Sequence, residues 1–384
     1  MNKIGQIYFL ENEILRMDYP KAEFLSKLID IDDFVENSLL MKGIISLVVQ
    51  CIIIKPMKIP LYVEFILEYI PKSQSKVVLD FLFRKFRLLD SKYNYNHCNI
   101  FVFMLFKEDF FSLDDIMSYF SSDYLINWYA EYIFNLFMWF SEEVCRYSKN
   151  IYQELLHYVS NRQLILGVSQ QYTHEFRKSI GFNSYPSDEL LTTHVYNHWR
   201  MIFIHDDIDE LREKAAMPNF CYDDLFPDDI YDPIWIVQQQ TPLIHAASFF
   251  KAMKCYKFLL LSGSDIFKSD RNHNDIAFYC IASGNMEVLR FYVSHKGISR
   301  KMFKDCIFFN QKSILEWFLT ETNNQLFYLN ESLSHAAVYG HNELIEFLLD
   351  KGGLIETRNV LFYLFLTKFH HYLFKFIAFG CYKE

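Results

Sequence analysis

From about residue 24 to 180 apolar side chains recur at helical spacing with few breakers between them. Leu61, Phe65, Ile66 and Tyr69 form one stripe. Val77, Leu79, Phe81, Leu82 and Phe86 form another that is apolar on most sides, as a helix sandwiched between others is. Pro60 stands where a first-turn proline sacrifices no helical hydrogen bond, and Pro71 closes the same helix. Ser112 before Leu113-Asp114-Asp115 predicts a helix start, with a hydroxyl to cap it and acids where the helix dipole favours them. No alternation is strong enough to predict a strand.

Turn formers gather at residues 181–193, with Gly181, Asn183, Ser184, Pro186 and Ser187. A second irregular stretch, Pro218 to Gln240, carries Pro218, Pro227 and Pro233 and reads as a long loop. Between the two, Val195 to Ile204 and His205 to Glu213 predict a helix pair. These breaks divide the chain into an N-terminal helical domain (1–190), an eroded first helix pair with an acidic loop (191–240) and a repeat region (241–384).

Self-similarity dominates the last region. Thr241-Pro-Leu-Ile-His-Ala-Ala247 is echoed by Glu331-Ser-Leu-Ser-His-Ala-Ala337, 90 residues later or three periods of about 30. Each copy runs to an apolar stretch ending in glycine, Tyr256 to Gly263 and Leu344 to Gly352. Between them, Gly284-Asn-Met-Glu-Val-Leu-Arg-Phe and Asn310 to Leu319 align with Gly340 to Leu349. Thr241 is expected to cap a helix that Pro242 opens, and Asp275 holds the equivalent place in the next copy. Ala246-Ala247 and Ala336-Ala337 keep the first helix thin so that copies approach closely. Gly284 and Gly340 permit the positive backbone angle that reverses the chain, as Gly263 and Gly352 do at the end of the second helix. One helix pair cannot bury its Leu and Phe rows alone, so copies must stack.

These residues resemble the ankyrin repeat, and Ser334 to Gly352 fits its pattern well. Histidine stands at the fifth place of the seven (His245, His335) rather than the fourth, and Gly284 to Gly340 is only 56 residues, ten short of two units of roughly 33. Asn359 to Gly380 reads as a degenerate terminal pair. The order of a helical half, the acidic pair around His205 to Glu213, a long loop and then the repeats is similar to a large group of ankyrin proteins in parabasalid protists that carry a domain of unknown function. That resemblance implies an all-α chain, a helical domain followed by an ankyrin-repeat solenoid of five or six helix pairs, and a protein-binding role.

Composition sharpens this picture. In 384 residues, 51% are hydrophobic, with 39 Phe and 26 Tyr against 11 Gly and nine Pro, which suits helices and disfavours a many-turned β fold. The net charge of −9 is the wrong sign for phosphate neutralisation, so no nucleic-acid partner is expected. Between His198 and Asp232 ten acids face three bases. The eight cysteines include no Cys-x-x-Cys and read as buried thiols of a reducing compartment, so the expected location is cytoplasmic, with the nucleus as a second possibility. The most apolar uncharged run, Gly43 to Ile54, falls short of the ~20 residues needed to span a bilayer.

Candidate chemistry is sparse. His194 and His198 lie one helical turn apart, a zinc-compatible spacing, but no third ligand is apparent; His370-His371 diverge around a helix. Cys98 beside His97 is not the geometry of a nucleophile and its base, and glycine-rich phosphate loops are absent. No cofactor, metal or small-molecule substrate is expected. The predicted function is a non-catalytic scaffold or adaptor that binds another protein. The candidate contacts are Phe249, Phe250, Tyr339 and His341 near the ends of first helices, Lys268, Asp270, Arg271 and His273 on the longest connecting finger, and Arg358 on the last. Two alternatives stand beside it: a hydrolase or metal-dependent enzyme seated in the N-terminal half, and a substrate adaptor of a ubiquitin ligase.

Overall fold

The computed structural model describes residues 38–86, 96–120, 130–166, 198–227, 232, 234–238, 240–322, 325–339 and 341–353. Among them every regular element is helical, and the only β feature is an isolated bridge between Leu225 and Pro242. Contacts divide the chain into two units. One comprises Lys3–Asn197 with Asp228–Gln238; the other comprises His198–Pro227 with Gln239–Glu384.

The first unit contains α1 (Ser38–Ile54), α2 (Ile59–Tyr69), α3 (Ser75–Phe86), α4 (Asn96–Lys107), α5 (Leu113–Ser118), α6 (Ala130–Tyr147) and α7 (Lys149–Leu166). α4 packs against α1, α2 and α6, while α1 also meets α3 and α6 meets α7. Bulky rings fill these contacts: Tyr62, Phe101, Phe103, Phe137, Trp139 and Phe140 are fully buried, and Phe103 lies 5.5 Å from Trp139 and edge-on to Phe140. Pro60 sits in the first turn of α2 as expected, and Ser112 and Asp115 form a reciprocal cap on α5. The stretch read as a long loop holds a buried apolar run, Ile234 to Val237. Trp235 Nε1 donates to the Ile53 carbonyl at the end of α1 (2.9 Å), and Asp232 accepts from the Ile234 amide and from Gln238 Nε2.

Among the described residues no single helix is long and apolar enough to cross a membrane. α1 with the segment through α2 passes such a test only as a pair bent by 119°. Ile45, Val48, Ile52, Tyr62 and Ile66 of that pair are fully buried.

The second unit contains five described helix pairs: α8 (His198–Ile204) with α9 (Ile208–Ala215), α10 (Leu243–Phe249) with α11 (Met253–Leu261), α12 (Ile276–Ser283) with α13 (Met286–Lys296), α14 (Arg300–Phe308) with α15 (Lys312–Glu321), and α16 (Gln325–Tyr339) with α17 (Asn342–Asp350). First helices touch in series, α10 to α12 to α14 to α16, and α9 touches α11. The small residues make this possible: Ala246, Ala247, Ala277, Ala336 and Ala337 are at most 1% exposed.

One reversal recurs through the series. Asp206, Lys251, Gly284 and Asn310 follow their first helices with φ of 50°, 59°, 73° and 52°. The next amide reaches back five residues each time, Asp207 to Ile202, Ala252 to Ala247, Asn285 to Cys280 and Gln311 to Cys306, at 2.8–2.9 Å, and His341 to Ala336 repeats the bond at 3.0 Å. A left-handed residue is what ends a helix and turns the chain sharply. Of the four left-handed residues only Gly284 is a glycine; Gly340, at the fifth turn, lies outside the described residues.

Two capping expectations separate here. Asp275 does cap α12, accepting the Phe278 amide, and also accepts the Tyr292 hydroxyl at 2.9 Å. Thr241 does not cap α10: Pro242 occupies the cap position, and the fully buried Thr241 hydroxyl sits 2.9 Å from Tyr279 Oη of the next pair. The tertiary bond satisfies a buried hydroxyl that a capping geometry would leave nearer solvent. The turn-rich stretch at 181–193, His194, Arg358, His370-His371 and the terminal pair at 359–380 lie outside the described residues.

Candidate protein-interaction face

The finger between α11 and α12 is built by carboxylates. Gly263, at φ 95°, ends α11 and turns the chain outward. The Ser264 hydroxyl then donates to the Tyr222 carbonyl, the Asp265 amide to Asp223 Oδ1 and Lys268 Nζ to the Asp223 carbonyl, at 2.6, 2.8 and 2.9 Å. Asp270 accepts the amides of Asn272 and Asn274, the Asn274 side-chain amide and the Tyr279 hydroxyl, all at 2.7–2.8 Å. With its own proton committed to Asp270, Tyr279 accepts from Thr241. The chain Thr241–Tyr279–Asp270 thus fixes the loop that holds Arg271 and His273 in solvent.

The candidate contact residues divide between surface and interior. Arg271 and His273 are exposed, and Lys268 is half-buried with its ammonium bonded to the Asp223 carbonyl. Phe249 is 6% exposed, Asp270 5% and His341 2%, so these three build the core and the finger instead of offering anchors. The cause is the thin, alanine-lined first helix, which lets the next pair close over side chains at its end. Phe250 is half-buried, stacked with Phe203 and near Phe226, and joins the first two pairs. Tyr339 is half-buried edge-on to Phe308.

Burial lowers the pKa of both His245 and His341 to about 4, so each is a neutral core imidazole at physiological pH. His245 Nε2 lies 3.4 Å from the Ile266 carbonyl. Its neighbour Thr241 bonds elsewhere, so the displaced histidine of the motif serves the finger.

A cationic cluster that pattern reading missed lies on α14 and α16. Arg300 Nε lies 2.8 and 2.7 Å from the two Glu331 oxygens, and its Nη2 is 2.7 Å from Oε1. Lys304 Nζ and His335 Nε2 approach the same carboxylate at 3.5 and 3.7 Å. Lys301 bonds Asn274 Oδ1 of the finger and Asp305. The Arg300 hydrogen bond holds Glu331 below the usual carboxylate range, and burial followed by the Lys304 charge lowers His335. Burial raises Asp305 to about 6 against the opposing pull of Lys301. The sequence signal was available: cations at 300, 301 and 304 alternate with buried Met302, Phe303, Cys306 and Ile307.

Beside the cluster, a recess of about 420 Å³ is lined chiefly by Val293, Ile298, Trp317, Glu321, Thr322 and Tyr328. Tyr328 stacks on Phe303 at 4.2 Å, and the Arg290 guanidinium sits 5.7 Å over Trp317.

No group of three or more metal-ligating side chains occurs among the described residues. Burial pushes the thiols of Cys98, Cys280 and Cys306 well up and raises Cys255 to about 12, with help from Asp206, so these thiols stay protonated near neutrality.

No family model matches the chain, and no solved structure does. Two curated viral proteins are distantly similar: the interferon antagonist OPG039 of monkeypox virus, 27% identical over 137 residues, and the interferon antagonist OPG040 of vaccinia virus strain Western Reserve, 27% identical over 139 residues. The matches cover 33% and 34% of this chain and 48% and 49% of the relatives, so the chain spans about half the length of the proteins it matches. Neither relative is a parabasalid protein.

Proposed function

We propose that this chain is a non-catalytic adaptor or scaffold whose second unit is a divergent ankyrin-type array that holds a partner protein on its first helices and fingers. The observation that carries this reading is the reversal at 206, 251, 284 and 310, which sets helix pairs side by side and leaves finger residues such as Arg271 and His273 in solvent. A series of like units presents an extended surface, the form that suits a macromolecular partner. The described thiols, all reduced and mostly buried, fit action in the cytoplasm.

The names of the two viral relatives suggest a setting for such binding, the suppression of an interferon response, with a host protein as the partner. The test is proximity labelling by the full chain in cells, repeated with Arg271→Glu and His273→Glu together. Loss of a reproducible partner supports the face; an unchanged partner set rejects it. An interferon-responsive reporter that the chain leaves at full strength would reject the viral setting while leaving the binding role intact.

A further inference from the structure

We propose that the solvent side of α14, bordered by α16 and the finger, is a docking strip for an acidic segment of the partner, whose carboxylates are received by Arg300, Lys304 and Lys301. This rests on the protein-binding reading above and adds the chemistry of the partner.

The strip stands out against a chain of net charge −9, with ten acids to three bases between residues 198 and 232. On α14 the inward positions, Met302, Phe303, Cys306 and Ile307, are at most 2% exposed, and the exposed positions are Arg300, Lys301 and Lys304. The helix has one acid, Asp305, whose side chain is 14% exposed and tied to Lys301. Lys301 also bonds Asn274, which places the base of the finger carrying Arg271 at the edge of the strip. Arg300, Lys301 and Lys304 thus outnumber the two carboxylates, Glu331 and Asp305, that pair with them.

Glu331 shows what this geometry accepts. Arg300 approaches it with Nε and Nη2, while Lys304 and His335 stand farther off at 3.5 and 3.7 Å. A planar guanidinium receiving a carboxylate edge-on is the arrangement that recognises Asp and Glu in a peptide. Lys304 is 46% and Arg300 61% exposed at the side chain, so Glu331 uses only part of their capacity. Phe327, 48% exposed beneath the Arg300 guanidinium at 5.4 Å, offers the apolar contact that a charged rim needs for affinity.

The test uses the full chain and a short fluorescein-labelled peptide of alternating Glu and Ala with one central Leu, read by anisotropy at low and high salt. A Lys-for-Glu peptide and a single-stranded oligonucleotide serve as rivals. The Glu peptide is expected to bind, to weaken with salt and to lose about tenfold or more in affinity in Arg300→Gln with Lys304→Gln. Lys257→Gln, on the outer helix α11, is expected to leave binding alone. Glu331→Gln removes the internal competitor and is expected to tighten binding, an effect that a purely structural ion pair would not produce. Circular dichroism confirms that each variant is folded.

Equal binding of the Lys peptide, indifference to the two Gln changes, weaker binding in Glu331→Gln, or tighter binding of the oligonucleotide would each overturn the proposal. Failure here with a labelled partner still lost in Arg271→Glu and His273→Glu removes the strip and keeps the adaptor. An unchanged partner set in every face variant removes the adaptor itself.

Discussion

The two units solve the burial problem with opposite materials. In the first, α1, α6 and α7 run 17 or 18 residues and are held apart by large rings such as Phe101, Phe103 and Trp139. In the second, α10, α12 and α14 run seven to nine residues and close on alanine and cysteine. Long helices bury enough surface to be placed by bulk. Short ones cannot, since an isolated helix under about 12 residues is marginal, so they depend on close approach and on identical turns. The five-residue back-bond that recurs through the second unit occurs in the first between Phe110 and Leu105, across Asp109 at φ 57°. One architecture tolerates varied connections; the other is specified by repeating the same one.

The contrast is breakable. Trp139→Ala is expected to cost about 3–5 kcal/mol, with amide protection lost in the first unit while the second keeps its own, by hydrogen exchange. Equal loss in both would show that the two share one cooperative core.

Acid should act on the second unit through His245 and His341. Each has a folded pKa of about 4, below the ordinary value of 6.5. The folded state then binds fewer protons than the unfolded, so the stability present above pH 6.5 is lost as pH falls from there to 4, by about 3 kcal/mol for each histidine once both values are passed. Denaturant melts from pH 8 to 4 check this, and His341→Gln should flatten the curve.

Ala247→Leu puts volume into the seam between α10 and α12 and is expected to cost about 1–3 kcal/mol, by chemical denaturation. The smallest effects concern the reversal. Gly284→Ala should lose about 1 kcal/mol at its positive φ, and Lys251→Gly should gain a comparable amount at the same structural position. A loss in Lys251→Gly would mean that this turn is held by its side chain.

Legibility followed the same divide. Asp275, Gly284, Ser112 and Pro60 could be read because each role is local: a cap, a left-handed turn, a first-turn proline. The register of the repeats was obscured where Asp206, Lys251 and Asn310 adopt the glycine conformation without being glycine. Thr241 was misplaced because its partner, Tyr279, lies 38 residues away, and Phe249, Asp270 and His341 were read as surface because burial depends on how closely the next pair approaches. In the first unit periodicity revealed helices but not their neighbours, since nothing repeats to state the order of packing. The cations of α14 form no sequence motif with their partners: Glu331 lies 31 residues from Arg300 and Asn274 of the finger 27 residues from Lys301, and only the fold brings them together.

The carboxylate of Asp206 accepts the amides of Lys254 and Cys255 at 2.9–3.0 Å and so finishes the exposed start of α11 from the preceding pair. Tyr222 and Asp223 likewise steady the finger beyond it. Natural cutting lines therefore run obliquely, from the turn of one pair to the helix of the next. A fragment excised at Thr241, where the recognisable signature begins, would leave raw ends behind, and any pair transplanted into a foreign array must travel with the acid upstream of it.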